Sequence, residues 1–106
     1  MRDANTAMRI LAIERPVPGV SPEQFTPELA TAEARRVWDL YQQGAIRVMF
    51  FRADEPAALL VLESADVAEA RTVLATLPLA LTGLIDFEVI PLRAYPGFAR
   101  LFEQPT

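Results

Sequence analysis

Residues 57–98 decide the fold of this chain, and they read AALLVLESADVAEARTVLATLPLALTGLIDFEVIPLRAYPGF. The apolar run at 57–63 predicts a strand that is buried in a sheet. Asp66 then begins the Asp-x-x-Glu pattern of a helix capping box, and apolar residues follow at helical spacing until Pro78 ends the helix. A second strand is predicted at 84–93. This stretch is therefore one strand–helix–strand unit.

The N-terminal half predicts a similar unit. A strand at 7–14 leads through a proline-rich turn to a helix that begins between 21 and 26 and ends at Gly44. A strand at 45–52 follows, and a turn short enough for a hairpin joins it to the strand at 57–63. The order is βαββαβ, the ferredoxin-like arrangement of the α+β class. It predicts a four-stranded antiparallel sheet with two helices on one face.

The predicted strands are apolar on both faces. Residues 57–62 are apolar throughout, and simple alternation over 46–51 places Ile46, Val48 and Phe50 together on one face. A sheet that carries helices on one face alternates apolar with polar residues if its other face meets water. We therefore expect a homodimer, or a larger homo-oligomer, that forms through the helix-free face.

The composition excludes several kinds of chemistry. The 106 residues correspond to a single domain, 1–106, with one core, and 52% of them are hydrophobic. Histidine, cysteine and lysine are absent, so all ten basic residues are arginines. A thiolate, a zinc–sulfur site, a histidine base and a Schiff base are therefore excluded. The sequence predicts no cofactor and no metal, and it contains no phosphate-binding loop or calcium-type cluster.

Charge and hydropathy narrow the expected partners. The formal net charge of −4 argues against nucleic acid, because a surface that binds phosphates needs a concentrated basic patch. The longest apolar runs have the length of a strand, too short to cross a bilayer, so no membrane partner is expected. Arg9 and Glu14 interrupt the first apolar stretch, which does not resemble a signal peptide. A soluble, cytoplasmic protein is the expectation.

Two short motifs carry a resemblance to a known family. Leu77-Pro78-Leu79 ends the second helix, and 85–89 follows as Ile-Asp-Phe-Glu-Val. This pattern resembles the second half of muconolactone isomerase-like proteins, which are members of the dimeric α+β barrel group. The resemblance extends over nearly the whole chain in its order of elements. It implies sheet-on-sheet dimers, with larger rings possible, and a cofactor-independent isomerase acting on a small lactone or aromatic-derived acid.

Two other functions are compatible with the same residues. Related α+β barrels include cofactorless monooxygenases, which place an aromatic substrate between helix and sheet. A non-catalytic oligomer that binds a small molecule, or that serves as an accessory subunit, also fits the low number of polar residues at pocket positions. The two enzymatic hypotheses and the binding hypothesis predict a small acidic or aromatic ligand, whereas an accessory subunit needs none.

Carboxylates are the candidate catalytic residues. Glu33 flanks the apolar stripe of the first helix, and the resembled isomerases carry a glutamate at about this position. Asp86 is the second candidate, and it shares a face of the last strand with Glu88. A carboxylate in an apolar cleft has a raised pKa and can move a proton next to a carbonyl. The alternative interpretation of Glu33 is a residue that is solvated or paired with Arg36. For Asp86 it is an edge strand whose carboxylates face solvent or pair with arginines.

Arg47, Trp38, Tyr41 and Phe50 are the candidate substrate-binding residues. Arg47 could hold a substrate carboxylate with two hydrogen bonds, and the alternative interpretation is a structural ion pair. In the resembled isomerases a histidine follows this arginine, whereas Val48 follows it here. The difference implies weak or no turnover of muconolactone itself. The three aromatic side chains would line a pocket. Alternatively, they belong to the hydrophobic core together with Phe51 and Phe87.

An aromatic tail follows the last strand. Tyr95, Phe98 and Phe102 lie in a segment of about 94–106 that begins after the sheet is complete. We expect this tail to dock on a neighbouring subunit, where it could also close a pocket.

Overall fold

A computed structural model describes residues 7–103 of the chain. Within this range the elements are β1 (Met8–Pro16), α1 (Pro27–Gln42), β2 (Ile46–Phe51), β3 (Ala58–Ser64), α2 (Val67–Leu74), α3 (Pro78–Leu81) and β4 (Ile85–Leu92). Short 3₁₀ helices lie at Pro22–Gln24 and Pro96–Leu101. The last three residues of the predicted tail, 104–106, lie outside the described range. None of the helices in this range is both long enough and apolar enough to cross a membrane.

The four strands form one open antiparallel sheet in the order β2-β3-β1-β4. Ile10 of β1 and Leu60 of β3 are fully buried on the face that the helices cover, and Leu40 of α1 and Leu74 of α2 belong to the same core. Neighbouring residues in these central strands, such as Val61, are only partly buried because they point away from the helices. The predicted α+β, ferredoxin-like arrangement with helices on one face is confirmed.

Side-chain caps fix where the two longer helices begin. Thr26 Oγ1 accepts a hydrogen bond of 3.2 Å from the backbone N–H of Leu29, with proline at the first helical position of α1. Asp66 Oδ1 likewise accepts a hydrogen bond of 2.8 Å from the N–H of Glu69. Gly44 follows α1 with a φ of 82°, a conformation that strongly favours glycine. The predicted helix starts near 26 and at Asp66, and the stop at Gly44, agree with the structure.

The second helix ends earlier than its apolar spacing predicts. α2 stops at Leu74, and Pro78 begins the separate short helix α3 instead of ending α2. Proline suits this first helical position because its missing N–H would have no partner there. Leu77 remains almost fully buried between the two helices, which explains why the apolar spacing continues across the break.

A β-bulge in β2 changes which side chains share a face. The register with β3 shifts between Ile46 and Val48, so Arg47 is the extra residue. The prediction that Ile46, Val48 and Phe50 share a face was wrong for Ile46, which lies in the core, whereas the other two point to the helix-free face. The cross-strand partners, which share a face, are Ile46 with Leu62, Val48 with Val61, and Phe50 with Leu59.

Candidate functional site

An apolar cleft lies between α1 and β2. It encloses about 370 Å³, and among residues 7–103 Glu33 is the only charged residue that lines it. Trp38 and Tyr41 form its outer part with 58% and 51% of their surface exposed, and their ring centroids are 5.9 Å apart. The full lining is Ala30, Glu33, Ala34, Val37, Trp38, Tyr41, Ile46 and Met49. An apolar cavity with one placed polar group is the usual form of a small-molecule site.

The Glu33 carboxylate is held by the first turn of α3. Its Oε1 accepts a hydrogen bond of 2.9 Å from the backbone N–H of Leu79. Leu77 precedes α3 and provides no side-chain cap, so Glu33 satisfies an amide that the local sequence leaves free. The alternative pairing of Glu33 with Arg36 is not observed, because Arg36 Nε donates to Thr76 Oγ1 at 3.1 Å. Within residues 7–103 the carboxylate has no cationic partner.

The pKa of Glu33 is raised above that of an ordinary glutamate. Burial is the main cause, because it removes water from the charged form. The hydrogen bond from Leu79 acts in the opposite direction, and the negative charge of Glu14 raises the pKa further. A carboxylate of this kind can accept a proton from carbon and return it, which is the work of a general base.

Arg47 lies in an adjoining, more polar cavity. This second cavity has a volume of about 280 Å³ and shares Tyr41 and Ile46 with the Glu33 cleft. Arg47 Nη1 is 3.8 Å from Glu63 Oε2, and both side chains are well exposed. The predicted structural ion pair of Arg47 is therefore present. An exposed pair at this distance contributes little to stability, so the guanidinium remains available to a ligand.

Asp86 and Phe50 do not lie in the cleft. Asp86 lies opposite Arg15 in the register of β4 with β1, so it points to the helix-free face. Its Oδ1 accepts a hydrogen bond from the backbone N–H of Phe87. Glu88 on the same face forms an ion pair with Arg15. Phe50 is 67% exposed and is turned to this face by the β-bulge. The structure therefore brings Glu33, Trp38 and Tyr41 together, with Arg47 beside them.

The aromatic side chains are more exposed than a core assignment allows. Phe87 is buried, as the core interpretation expects. The other four aromatics of the set that was assigned to the core leave more than half of their surface exposed, namely Trp38, Tyr41, Phe50 and Phe51. They are available to contact a ligand or another chain.

Sequence analysis did not select Glu14, whose negative charge helps to raise the pKa of Glu33. Glu14 follows Ile10 and Ala12 on the helix-covered face of β1, and it lines a further cavity of about 370 Å³. Its Oε1 accepts a hydrogen bond of 2.9 Å from the N–H of Ala58. The signal was present in the sequence, because a carboxylate two residues after a core position must point towards the helices.

Comparison with known proteins identifies the family. A family model described as muconolactone delta-isomerase matches residues 10–97. The chain belongs to the muconolactone delta-isomerase family. A crystal structure of muconolactone isomerase has the same fold, with a TM-score of 0.65 and 23% sequence identity over 84% of this chain and 92% of that chain. A search of curated proteins finds no match.

The residue that follows Arg47 lies outside the cleft. The resemblance implies a histidine at this position, whereas the chain has Val48, whose side chain points to the helix-free face beside Val61. Its identity therefore does not remove a group from the Glu33 cleft of the same protomer. Within residues 7–103, no three potential metal-binding side chains gather closely enough to hold an ion.

The stability of Glu33 variants should separate two effects of this residue, namely the hydrogen bond that caps α3 and the cost of burying its charge. Glu33→Ala removes the cap of α3 and is expected to cost about 1 kcal/mol of unfolding free energy. Glu33→Gln keeps an oxygen for Leu79 and removes the desolvated charge, so it should be at least as stable as the parent at neutral pH. A raised folded-state pKa means that the parent loses stability as pH rises through the window from the ordinary glutamate pKa to the folded value. The gain in stability of Glu33→Gln over the parent should therefore disappear below the ordinary glutamate pKa. Thermal melts of both proteins at neutral pH and below that pKa will measure the change.

Proposed function

We propose that this member of the family is a cofactor-independent isomerase, which moves a proton next to the carbonyl of a small lactone that carries a carboxylate. The observation that carries the proposal is Glu33, a half-buried carboxylate with a raised pKa in an apolar cleft. One oxygen is fixed by the N–H of Leu79. No cation in the described range neutralises the carboxylate, which supports its proposed role as a base.

The adjoining residues fit the rest of such a reaction. Arg47 would bind the substrate carboxylate, while Trp38 and Tyr41 would pack against the ring. Glu33 would accept a proton from carbon, and the electron pair of that C–H bond would pass into an enolate. The same proton, or one exchanged with solvent, would then return to another carbon of the conjugated system. Substrate and product have the same composition, so no co-reactant is needed.

A non-catalytic binding function is the second candidate. It is favoured by the cleft itself, which has one ionisable side chain and otherwise apolar walls apart from the Tyr41 hydroxyl. An apolar pocket of this kind can bind an aromatic ring, with Arg47 beside it to hold a carboxylate, even if nothing in it stabilises an enolate. Binding without proton exchange is the result that would favour this second function.

We also propose that the functional unit is a homodimer formed through the helix-free sheet face. Apolar side chains fill the centre of this face, whereas the Arg15–Glu88 pair and the Arg9–Glu63 pair lie towards its two ends. A large apolar patch with a charged rim is typical of an interface. The central residues are Leu11, Ile13, Val48, Phe50, Leu59, Val61 and Ile90.

The C-terminal tail would extend this interface. Tyr95 and Phe98 are mostly exposed and pack edge-to-face with ring centroids 5.0 Å apart, and Leu101 and Phe102 are also exposed. Within the described residues of one protomer, most of the surface of these side chains stays uncovered. We therefore propose that the segment from about 94 onward docks on the neighbouring subunit.

Solvent exchange is the most sensitive test of the proposed reaction. Muconolactone and a panel of related lactone acids are incubated with the protein in deuterium oxide, and ¹H NMR follows loss of carbon-bound protons. Exchange with at least one panel member supports the isomerase, and muconolactone tests the expectation of weak turnover. Arg47→Ala should raise KM for carboxylate-bearing lactones, whereas Arg35→Ala on the exposed side of α1 should not. Binding without exchange across the whole panel would contradict the isomerase.

A further inference from the structure

The Glu33 cleft and the Arg47 cavity form one long groove. Tyr41 and Ile46 line both of them, so the two cavities adjoin at these residues. The cleft follows α1 from Ala30 to Tyr41, a length of about 16 Å at the usual helical rise. The Arg47 cavity continues past the end of this helix. This joined groove has a carboxylate towards one end and a guanidinium at the other.

The Arg47 guanidinium is far from the Glu33 carboxylate. A Cβ atom added at Gly44, just past the end of α1, would lie 3.7 Å from Arg47 Nη1, so the guanidinium lies beside this glycine. α1 rises about 12 Å between Glu33 and Tyr41, and Gly44 comes later still. The Cα–Cβ bonds of a helix tilt towards its N-terminus, so the Glu33 side chain leads away from Arg47. The two charged groups are therefore separated by about 12 Å or more along the groove.

The part of the joined groove between these two groups is apolar and largely aromatic. Its walls are Val37, Trp38, Tyr41 and Met49. Within residues 7–103, Arg47 is the only cationic side chain that lines either cavity. A single ligand that contacts both ends therefore needs an anionic group at one end and an apolar body that passes the aromatic side chains.

Arg47 can turn to such a ligand without leaving Glu63 unpaired. Glu63 Oε1 is 3.8 Å from Arg9 Nε, the same distance as that from Glu63 Oε2 to Arg47 Nη1. The Glu63 carboxylate therefore keeps one arginine when Arg47 binds a second carboxylate. A guanidinium can donate two parallel hydrogen bonds to a ligand carboxylate, and this contact is stronger than an exposed ion pair at 3.8 Å.

We propose that the substrate is an elongated acid, whose carboxylate binds Arg47 while its reacting carbon lies at Glu33. This inference rests on the proposed isomerase function for the reacting end, whereas the binding of an elongated acid does not depend on it. The contacts at the two ends each take about 3 Å, which leaves about 6 Å or more for the ligand to span. In muconolactone one methylene group joins the carboxylate to the ring, so the molecule reaches only one end at a time. The proton transfer itself is unchanged and needs no co-reactant.

Ligand binding tests the length of the joined groove without catalysis. Trp38 is the single tryptophan of the chain and lines the groove, so its fluorescence reports binding. Phenylalkanoic acids from phenylacetic to phenylheptanoic acid are titrated alongside their primary amides, and calorimetry covers any ligand that leaves the fluorescence unchanged. The affinity of the acids should increase with chain length until the ring reaches Glu33. Arg47→Ala should weaken binding of the longer acids by roughly tenfold, through loss of a charge-assisted contact, and leave the amides unchanged.

A substitution that blocks the groove tests where the ring lies. Ala34→Leu narrows the groove beside Glu33, and Ala32→Leu makes the same change on α1 at an exposed position outside the groove. Ala34→Leu should abolish the gain in affinity with chain length and leave the binding of phenylacetic acid unchanged, whereas Ala32→Leu should bind the whole series as the parent does. The inference is overturned by an affinity that does not depend on chain length, by a gain that survives Ala34→Leu, by long acids that bind Arg47→Ala as tightly as the parent, or by a parent that binds none of the acids.

The exchange assay separates this inference from the proposed function. Butenolide acids with lengthened side chains are compared with muconolactone in deuterium oxide. The value of kcat/KM for exchange should rise with chain length, and Arg47→Ala should remove this rise. Muconolactone that exchanges faster than every longer homologue would overturn the inference while it supports the isomerase. If no lactone exchanges, the isomerase proposal fails, whereas the titrations still decide whether the groove binds elongated acids.

Discussion

Glutamine in place of Glu33 is expected to lower kcat/KM for lactone proton exchange by roughly 10²–10⁴-fold, the usual contribution of a positioned acid or base. The amide preserves the size of the side chain and an oxygen for the N–H of Leu79. It cannot accept a proton from carbon. Because the fold and the cleft should be preserved, the loss is expected in kcat, while KM changes little.

Asp86→Asn is the matched control for this substitution. Asp86 is also a carboxylate, but it lies on the helix-free face, outside the cleft. The rate of exchange should therefore remain within about twofold of the parent, as for a residue that makes no contact with the substrate. Loss of activity in Asp86→Asn but not in Glu33→Gln would contradict the assignment of Glu33 as the base.

Val61→Asp is expected to dissociate the proposed homodimer. Val61 lies in the central strand β3 between Leu11 and Val48, on the helix-free face. A stacked second sheet would bury the new carboxylate of each protomer without a cation. The combined cost should be about 3 kcal/mol or more, which weakens the dimer by at least about 10²-fold. Analytical ultracentrifugation over a concentration series measures the change directly.

Ala68→Asp provides the comparison for Val61→Asp. Ala68 is exposed on α2, on the helix side of the protein, so the same charge there should leave the association unchanged. Circular dichroism verifies that both variants are folded. A parent protein that sediments as a monomer at micromolar concentration would contradict the dimer, as would a Val61→Asp variant with unchanged association.

The elements of the fold could be predicted from sequence because their signals are local. Helical spacing, the caps at Thr26 and Asp66, and the glycine at Gly44 each act within one turn of the chain. The bulge at Arg47 could not be predicted in this way. It depends on how β2 pairs with β3, and one extra residue reverses the faces of all the residues that follow it.

The candidate site was predicted only in part, for a related reason. Glu33, Trp38 and Tyr41 share one helix, so their common face follows from helical spacing. Asp86 satisfied the same chemical criteria, but its side of the sheet depends on the pairing of β4 with β1. The hydrogen bond between Glu33 and Leu79 joins residues 46 positions apart, and no local pattern indicates it.

The bulge in β2 also bears on whether strands of other molecules can pair with the edge of the sheet. An apolar sheet with two free edges could extend without limit by adding strands from other molecules. One edge here is interrupted by the extra residue at Arg47, and the other edge, β4, contains Pro91, which has no N–H to donate. Both edges are therefore poor templates for a further strand. Strand-by-strand growth along the sheet is therefore disfavoured, whereas the apolar face stays free to form the proposed dimer.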